Sequence, residues 1–221
     1  MMDFTTRMTA LLGAFRRERN GAVADSMRYY GRTYGLNYGV SLPTLRRLAR
    51  AESTDHDFAR YLYQQDVREL RLAAFHIADP GRLTPDEFPF WGDGLLNSEM
   101  AEEGAFALLG RTPSLPALFD AWTTPEAGWL QQYAVLMAVA RTEAPQTAWI
   151  PRVADIVRRA AASEFQESHL LAQGAVAALV NLGSRSEENR LAVQQAVDSL
   201  GTHPAEELVR EELSWRLDPD L

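Results

Sequence analysis

What most restricts the fold of this chain is a helical hydrophobic period that recurs in pairs, with almost no strand signal to compete with it. No stretch alternates apolar and polar residues for long between turn residues, and β-branched clusters are few. A period of roughly 3.6 residues runs through most of the chain instead. "MTALLGAF" opens a first helix, and Asn20-Gly21 reads as its C-terminus. "LPTLRRLARAE" places Leu42, Leu45, Leu48 and Ala49 on one face, with Ser41 before it and Pro43 in its first turn. "STDHDFARYLYQQ" offers Thr54 or Asp55 as an N-cap ahead of Phe58, Tyr61 and Leu62. Helix pairs are then expected at 55–65 with 67–78, 84–94 with 97–110, 114–121 with 124–142, 146–162 with 166–183, and 187–199 with 204–216. Breakers stand between the pairs at Asp79-Pro80-Gly81, Arg111-Thr112-Pro113, Glu143-Ala144-Pro145 and Thr202-His203-Pro204. The spacing of about 30–40 residues is that of helical solenoid repeats.

The second helices of the pairs look related. "DVRELRLAAFHIA", "EEGAFALLGR" and "LLAQGAVAALVNLG" end in small-and-leucine tracts that permit close packing and fill a shared core. "DVRELRLAA" resembles the inner helix of HEAT repeats in its Asp, Val-Arg and Ala positions. The expected fold is all-α, a right-handed α-α superhelix of HEAT-like helical repeats. It is read as one domain over 1–221, with N-terminal helices in 1–52 and stacked helix pairs in 53–221.

Composition narrows the chemistry. With 221 residues, 46% hydrophobic, the chain can bury a substantial core without disulfides or metals. No apolar run approaches the roughly 20 residues of a membrane span, and "MMDFTTRMTALLGAFRRER" lacks an uninterrupted apolar signal region, so a cytoplasmic location is expected. Cysteine is absent, which excludes disulfides, thiolate metal sites and cysteine nucleophiles. All 22 basic residues are Arg, so no lysine forms a Schiff base, while bidentate phosphate or carboxylate recognition is retained. The net charge of −8 is uneven: residues 1–60 hold ten Arg against six acidic residues, whereas 61–150 hold five against twelve and 151–221 seven against twelve. An acidic body argues against general nucleic-acid binding but leaves room for a local Arg patch near the N-terminus.

No phosphate loop, strand-linked glycine fingerprint or nucleophile elbow is present. His56, His76, His169 and His203 are scattered without metal-ligand spacing, and "TDHD" is better read as a helix cap than as a ligand set. No cofactor and no metal are expected. "NSEMAEEGAF" is more informative. Glu99, Glu102 and Glu103 stand at i, i+3 and i+4 within an arc of about 100°, Phe106 falls inside that arc, and Leu95 lies one turn earlier. A freely solvated face needs no such apolar brackets, so this face is expected to contact something. One reading is a groove-lining acid set; the other is ion pairing with Arg68 or Arg71 on the preceding inner helix. Three like charges at this spacing repel unless neutralised, which favours pairing.

"RYYGRTYGLNYGVSLPTLRR" interleaves Tyr29, Tyr30, Tyr34 and Tyr38 with Arg28, Arg32, Arg46 and Arg47. Aromatic faces beside guanidinium groups can hold bases or phosphates. The competing reading, which weighs more, is a helix and turn whose tyrosines pack and whose Gly31, Gly35 and Gly39 let backbones approach.

This stretch carries a resemblance. "MRYYGRTYGLNYGVSLPTLRRLAR" is similar to the N-terminal signature of the HEAT-like bacterial DNA alkylation repair family, the AlkD-type alkylpurine DNA glycosylases. The matching residues are Met27, Tyr38, Gly39, Val40, Pro43 and Arg46, and the likeness continues through "VRELRLAAFHIADP" and "LLAQGAVAALVNLGSR", over roughly residues 10–190. The resemblance implies duplex DNA bound in a concave positive groove and excision of cationic alkylated purines. Two Trp, one Asp and one Arg would line that groove, the Asp stabilising positive charge that develops on the sugar. Carried onto this chain, the first Trp position is Ser98 and the Asp position is Glu102, so Glu102 is the candidate catalytic acid. Gln131 and Gln132 stand where arginines are expected, Trp129 is kept, and the second Trp falls near Ala177 with Val180 in place of a following Arg. Each departure removes an aromatic face or a positive charge.

The expectation is therefore a divergent family member with a degenerate glycosylase site and little or no base excision. Groove candidates are Glu99, Glu103, Trp129, Gln132, Arg68 and Arg71, and Arg28, Arg32, Arg46 and Arg47 are the expected contacts to duplex DNA. The alternative is a non-enzymatic scaffold taking a protein or peptide on its concave face. No membrane partner is expected.

Overall fold

A computed structural model of the chain describes residues 3–217, and these form thirteen α-helices joined by turns and four short 3₁₀ segments. The helices fall into two compact units that divide between Leu108 and Leu109.

The first unit holds α1 (Phe4–Arg17), α2 (Gly21–Tyr29), α3 (Leu42–Ala49), α4 (His56–Tyr63), α5 (Arg68–Ile77), α6 (Phe88–Asp93) and α7 (Ser98–Ala107). Short polar side chains start most of them. Asp3, Asn20, Ser41, Asp55 and Asn97 each accept a hydrogen bond from a backbone N–H in the first turn, satisfying one of the donors that a helix start leaves over. Asp55, rather than Thr54, is the cap of α4. Asn20-Gly21 corrects the sequence reading: the pair does not close α1, which ends at Arg17, but opens α2, with the Asn20 side chain accepting from Val23 N. Asn serves either end of a helix, and the apolar pattern of "AVADSM" was too weak to announce a second one. The core of this unit is aromatic. The Tyr63 ring lies tilted against Trp91 at 4.7 Å and against Phe75 at 5.3 Å between centroids, and its hydroxyl donates to the Trp91 carbonyl at 2.7 Å.

The second unit holds α8 (Leu115–Trp122), α9 (Trp129–Val139), α10 (Ile150–Ala160), α11 (Phe165–Gly183), α12 (Glu187–Asp198) and α13 (Pro204–Arg216). Helix α9 begins five residues after the expected position 124, because Thr124–Gly128 form an irregular turn. Small residues let α9 and α11 approach closely: a Cβ added to Gly174 would lie 3.0 Å from the Tyr133 ring and 3.2 Å from Leu136. Ala134, Ala138, Ala172, Ala175 and Ala178 are fully buried alongside. Helix α10 buries Ile150, Val153, Ile156 and Val157 on one side, each such side chain stabilising by roughly 1.5–3 kcal/mol.

Among the described residues no helix is long and apolar enough to cross a membrane.

Candidate functional site

The acid run on α7 is an internal feature of the first unit. Glu99 and Glu103 are 3% and 2% exposed, and Arg68 on α5 is 0%. Arg68 grips Glu99 with both arms, Nε donating to Oε2 at 2.8 Å and Nη2 to Oε1 at 2.7 Å. This is the pairing that the like-charge argument anticipates, with Arg68 as the partner. Arg71, the other expected partner, donates to the backbone carbonyls of Gln65 and Gly94 instead. Those carbonyls lie outside helices and need donors of their own.

Arg68 has one donor nitrogen left, and it reaches backwards in the sequence. Its Nη1 donates to the Val40 carbonyl at 2.9 Å and to Glu69 Oε1 at 3.0 Å. Glu69, also fully buried, accepts from the backbone N–H groups of Val40 and Tyr38, both at 3.2 Å. Tyr34 closes the cluster, its hydroxyl donating to Glu99 Oε2 at 2.6 Å. The segment between α2 and α3 therefore has its backbone polar groups met by a buried carboxylate and a buried guanidinium rather than by a ladder. One parallel bridge adds to this, Leu36 N donating to Asp66 O and Arg68 N to Leu36 O. Gly39 is required at the centre of the segment. It has φ +69°, and any Cβ there would fall 2.0 Å from the Asn20 carbonyl oxygen. The aromatic-Gly-hydrophobic turn of the signature is thus a seat for the start of α2.

Glu103 has a separate set of partners. Arg46 on α3 donates to it through Nε at 2.8 Å and Nη2 at 2.6 Å, and His76 Nε2 lies 2.5 Å from Oε1. The Arg46 guanidinium also sits 4.4 Å from the centre of the Phe106 ring, which accounts for the aromatic residue inside the acidic arc. Burial works to raise both carboxyls, but the hydrogen bonds and charges outweigh it. Arg68 and Tyr34 hold Glu99 below the usual carboxylate range, while Arg46 and His76 bring Glu103 down to about 2. Burial, followed by the Glu99 charge, pushes the Tyr34 hydroxyl well above its ordinary value. Both acids are therefore ionised and satisfied. Neither has the raised, unpaired character of a general acid. Glu102 lies between them on α7 and is half-buried.

The remaining expected site residues are placed as follows. Trp129 is the first residue of α9 and half-buried. Gln132 is buried and its amide folds back to donate to the Ala127 carbonyl at 2.8 Å; Gln131 accepts from Gly128 N. The two glutamines at the expected arginine positions thus shape the start of α9. Ala177 lines a cleft of about 280 Å³ with Gln173, Val176, Leu208, Glu212 and Arg216. Of the four surface arginines, Arg46 is committed to Glu103. Arg28 is exposed with a long contact of 3.8 Å to Asp25, Arg47 is exposed and 3.6 Å from Glu18, and Arg32 is half-buried. Arg16 and Arg17 at the end of α1, Arg19 just beyond it and Arg50 after α3 add exposed cations. Among the described residues no group of three or more His, Asp or Glu could hold a metal ion.

Sequence reasoning missed Glu69, Tyr34 and His76 as members of the cluster and Arg46 as its second cation. One signal pointed that way: two acids on one helical face need more than one partner to neutralise them.

Helix pairs of this kind define a HEAT-like helical-repeat protein. A solved structure matches with a TM-score of 0.71 at 15% identity, covering 96% of this chain and 94% of the other. That protein is described as one of "a new family of proteins related to the HEAT-like repeat DNA glycosylases with affinity for branched DNA structures". The model of the family described as "DNA alkylation repair enzyme" matches residues 11–214, and the chain belongs to that family. No curated protein matches its sequence.

Proposed function

We propose that this chain is a DNA-binding member of the alkylation repair family that does not excise bases. The observation that carries the reading is the condition of the α7 carboxylates. Glu99 and Glu103 are ionised, buried and held by Arg68, Arg46 and His76, so they order the N-terminal segment instead of facing a substrate. Glu102 alone remains as a candidate acid, and neither a Trp at position 98 nor an Arg at 131 or 132 accompanies it. Without an aromatic cradle to hold the sugar and the cationic base, a single carboxylate cannot supply the positioning that excision needs.

DNA contact is the part of the family's behaviour that the surface supports. The N-terminal 60 residues carry ten Arg against six acids, and several of those arginines are exposed. Arg28, Arg32 and Arg47 are the residues assigned to phosphate contacts. Few contacts release few counterions, so log K should fall with only a shallow slope against log salt.

Two measurements test this. Purified protein incubated with alkylated duplex DNA should release neither 7-methylguanine nor 3-methyladenine; clear turnover, abolished by Glu102→Gln, overturns the non-excising reading. A duplex titrated at several salt concentrations should bind more weakly when Arg28, Arg32 and Arg47 are replaced by Ala. Tight binding indifferent to those replacements removes the patch from consideration.

A further inference from the structure

The four tyrosines of "RYYGRTYGLNYG" divide sharply in the structure. Tyr34 is bound into the Glu99 cluster, and the Tyr38 hydroxyl receives a hydrogen bond from Arg16 Nε at 2.9 Å. Tyr29 and Tyr30 have no such place: they are 83% and 72% exposed. Their rings sit edge to face, centroids 5.2 Å apart with an interplanar angle of 87°.

They are exposed on a fixed support. Tyr29 ends α2, Tyr30 is its C-cap, and Gly31 turns the chain with φ +76°. The N–H of Gly31 then bonds to the Arg28 carbonyl and that of Arg32 to the Met27 carbonyl, the paired closing bonds of a helix that ends on a left-handed glycine. The backbone beneath both rings is thereby set before any ligand arrives, which lowers the ordering cost of binding.

Resting on the DNA reading above, we infer that the Tyr29–Tyr30 pair is a stacking platform for unpaired bases, so that the preferred substrate is DNA with unstacked bases at a gap, flap or branch. Three features select this occupant. A carbonyl-terminated helix end is the negative end of the helix dipole, unfavourable for a phosphate but indifferent to the uncharged face of a base. Arg28 and Arg32 flank the pair in sequence and supply cations for the adjoining backbone. A base within an intact duplex is covered on both faces by its neighbours, so two protruding rings gain contact only where stacking is already broken.

The test uses the full chain and three labelled DNAs of one sequence: an intact duplex, the same duplex with a short single-stranded gap, and the same duplex branched by a single-stranded flap. The wild-type protein should bind the gapped and branched DNAs more tightly than the duplex. Replacing Tyr29 or Tyr30 by Ala should weaken binding to those two about tenfold each, with duplex affinity little changed, and Tyr→Phe at either position should restore most of the loss. Arg28→Ala should weaken all three DNAs alike. Equal weakening on all three DNAs by the Tyr variants, or no weakening, overturns the platform while leaving the DNA reading standing. Failure of the wild-type protein to bind any of the three overturns both.

Discussion

Helices α5 and α9 hold comparable places, each packed against a later helix of its own unit, α7 and α11 respectively. Yet α5 buries Arg68 and Glu69 where α9 buries Ala134, Val135 and Leu136. The second unit needs only shape. Small residues bring α9 and α11 together, and their regular hydrogen bonds are met within each helix. The first unit has a different task, since α5 and α7 must also seat the irregular segment from Tyr30 to Ser41. Apolar side chains cannot satisfy that segment's N–H and C=O groups, whereas a buried carboxylate and guanidinium can. Removing charges from water is costly, so such a cluster is weak as a source of stability and strong as a way to fix one arrangement.

That contrast can be broken most forcefully at Arg68. Arg68→Ala leaves Glu69 and Glu99 buried without their cation, and a loss of about 3–5 kcal/mol is expected in denaturant titrations. Combining it with Glu99→Gln should recover part of that loss. A loss below ~1 kcal/mol would mean the cluster is not holding the segment. In the second unit, Leu179→Ala on α11 removes a fully buried side chain and should cost about 2–4 kcal/mol through transfer and cavity terms, with no rescue by changing any charge.

The contrast extends to pH. Glu103 is ionised in the folded state down to about 2, against 4.5 when unfolded. A depressed carboxyl contributes stability that is fully present above the unfolded value and is lost as pH falls from 4.5 towards 2, on the order of 3 kcal/mol in all. Protection of the α5 and α7 amides against hydrogen exchange, taken relative to the intrinsic exchange rate at each pH, should therefore fall over that window. Glu103→Gln should flatten the response there and leave α9 and α11 unaffected. The smallest effect is expected at the surface of the second unit, where Arg152 pairs with Asp120 at 2.7 Å but both side chains are well exposed. Arg152→Ala should change thermal stability by no more than ~0–1 kcal/mol, because water screens the pair.

Gly39 shows how the reading from residues and the reading from structure meet. Its place in the signature was visible, as was the possibility that glycines here let backbones approach. That the approaching group is the Asn20 carbonyl depends on α2, whose existence the pattern did not announce. Arg46 is a second case. Its sequence neighbourhood of Tyr and Arg suggested a surface cation for nucleic acid, but its contacts turn it inward to Glu103, 57 residues away in the chain. Nothing local distinguishes an arginine that meets a phosphate from one that meets a carboxylate.

The sequence by itself determined the helical class, the pairing of helices, most breakers and caps, and the expectation that the acid face of Glu99, Glu102 and Glu103 meets a cation rather than open water. These rest on periodicity, short-range hydrogen bonding and like-charge repulsion, all of which act within a few residues. The tertiary structure alone decided which cation meets which acid, that Glu69 and Tyr34 join them, and that Tyr29 and Tyr30 stay in water while Tyr34 does not. Those outcomes join residues 29–65 positions apart, and the packing of α3, α5 and α7 brings them within reach.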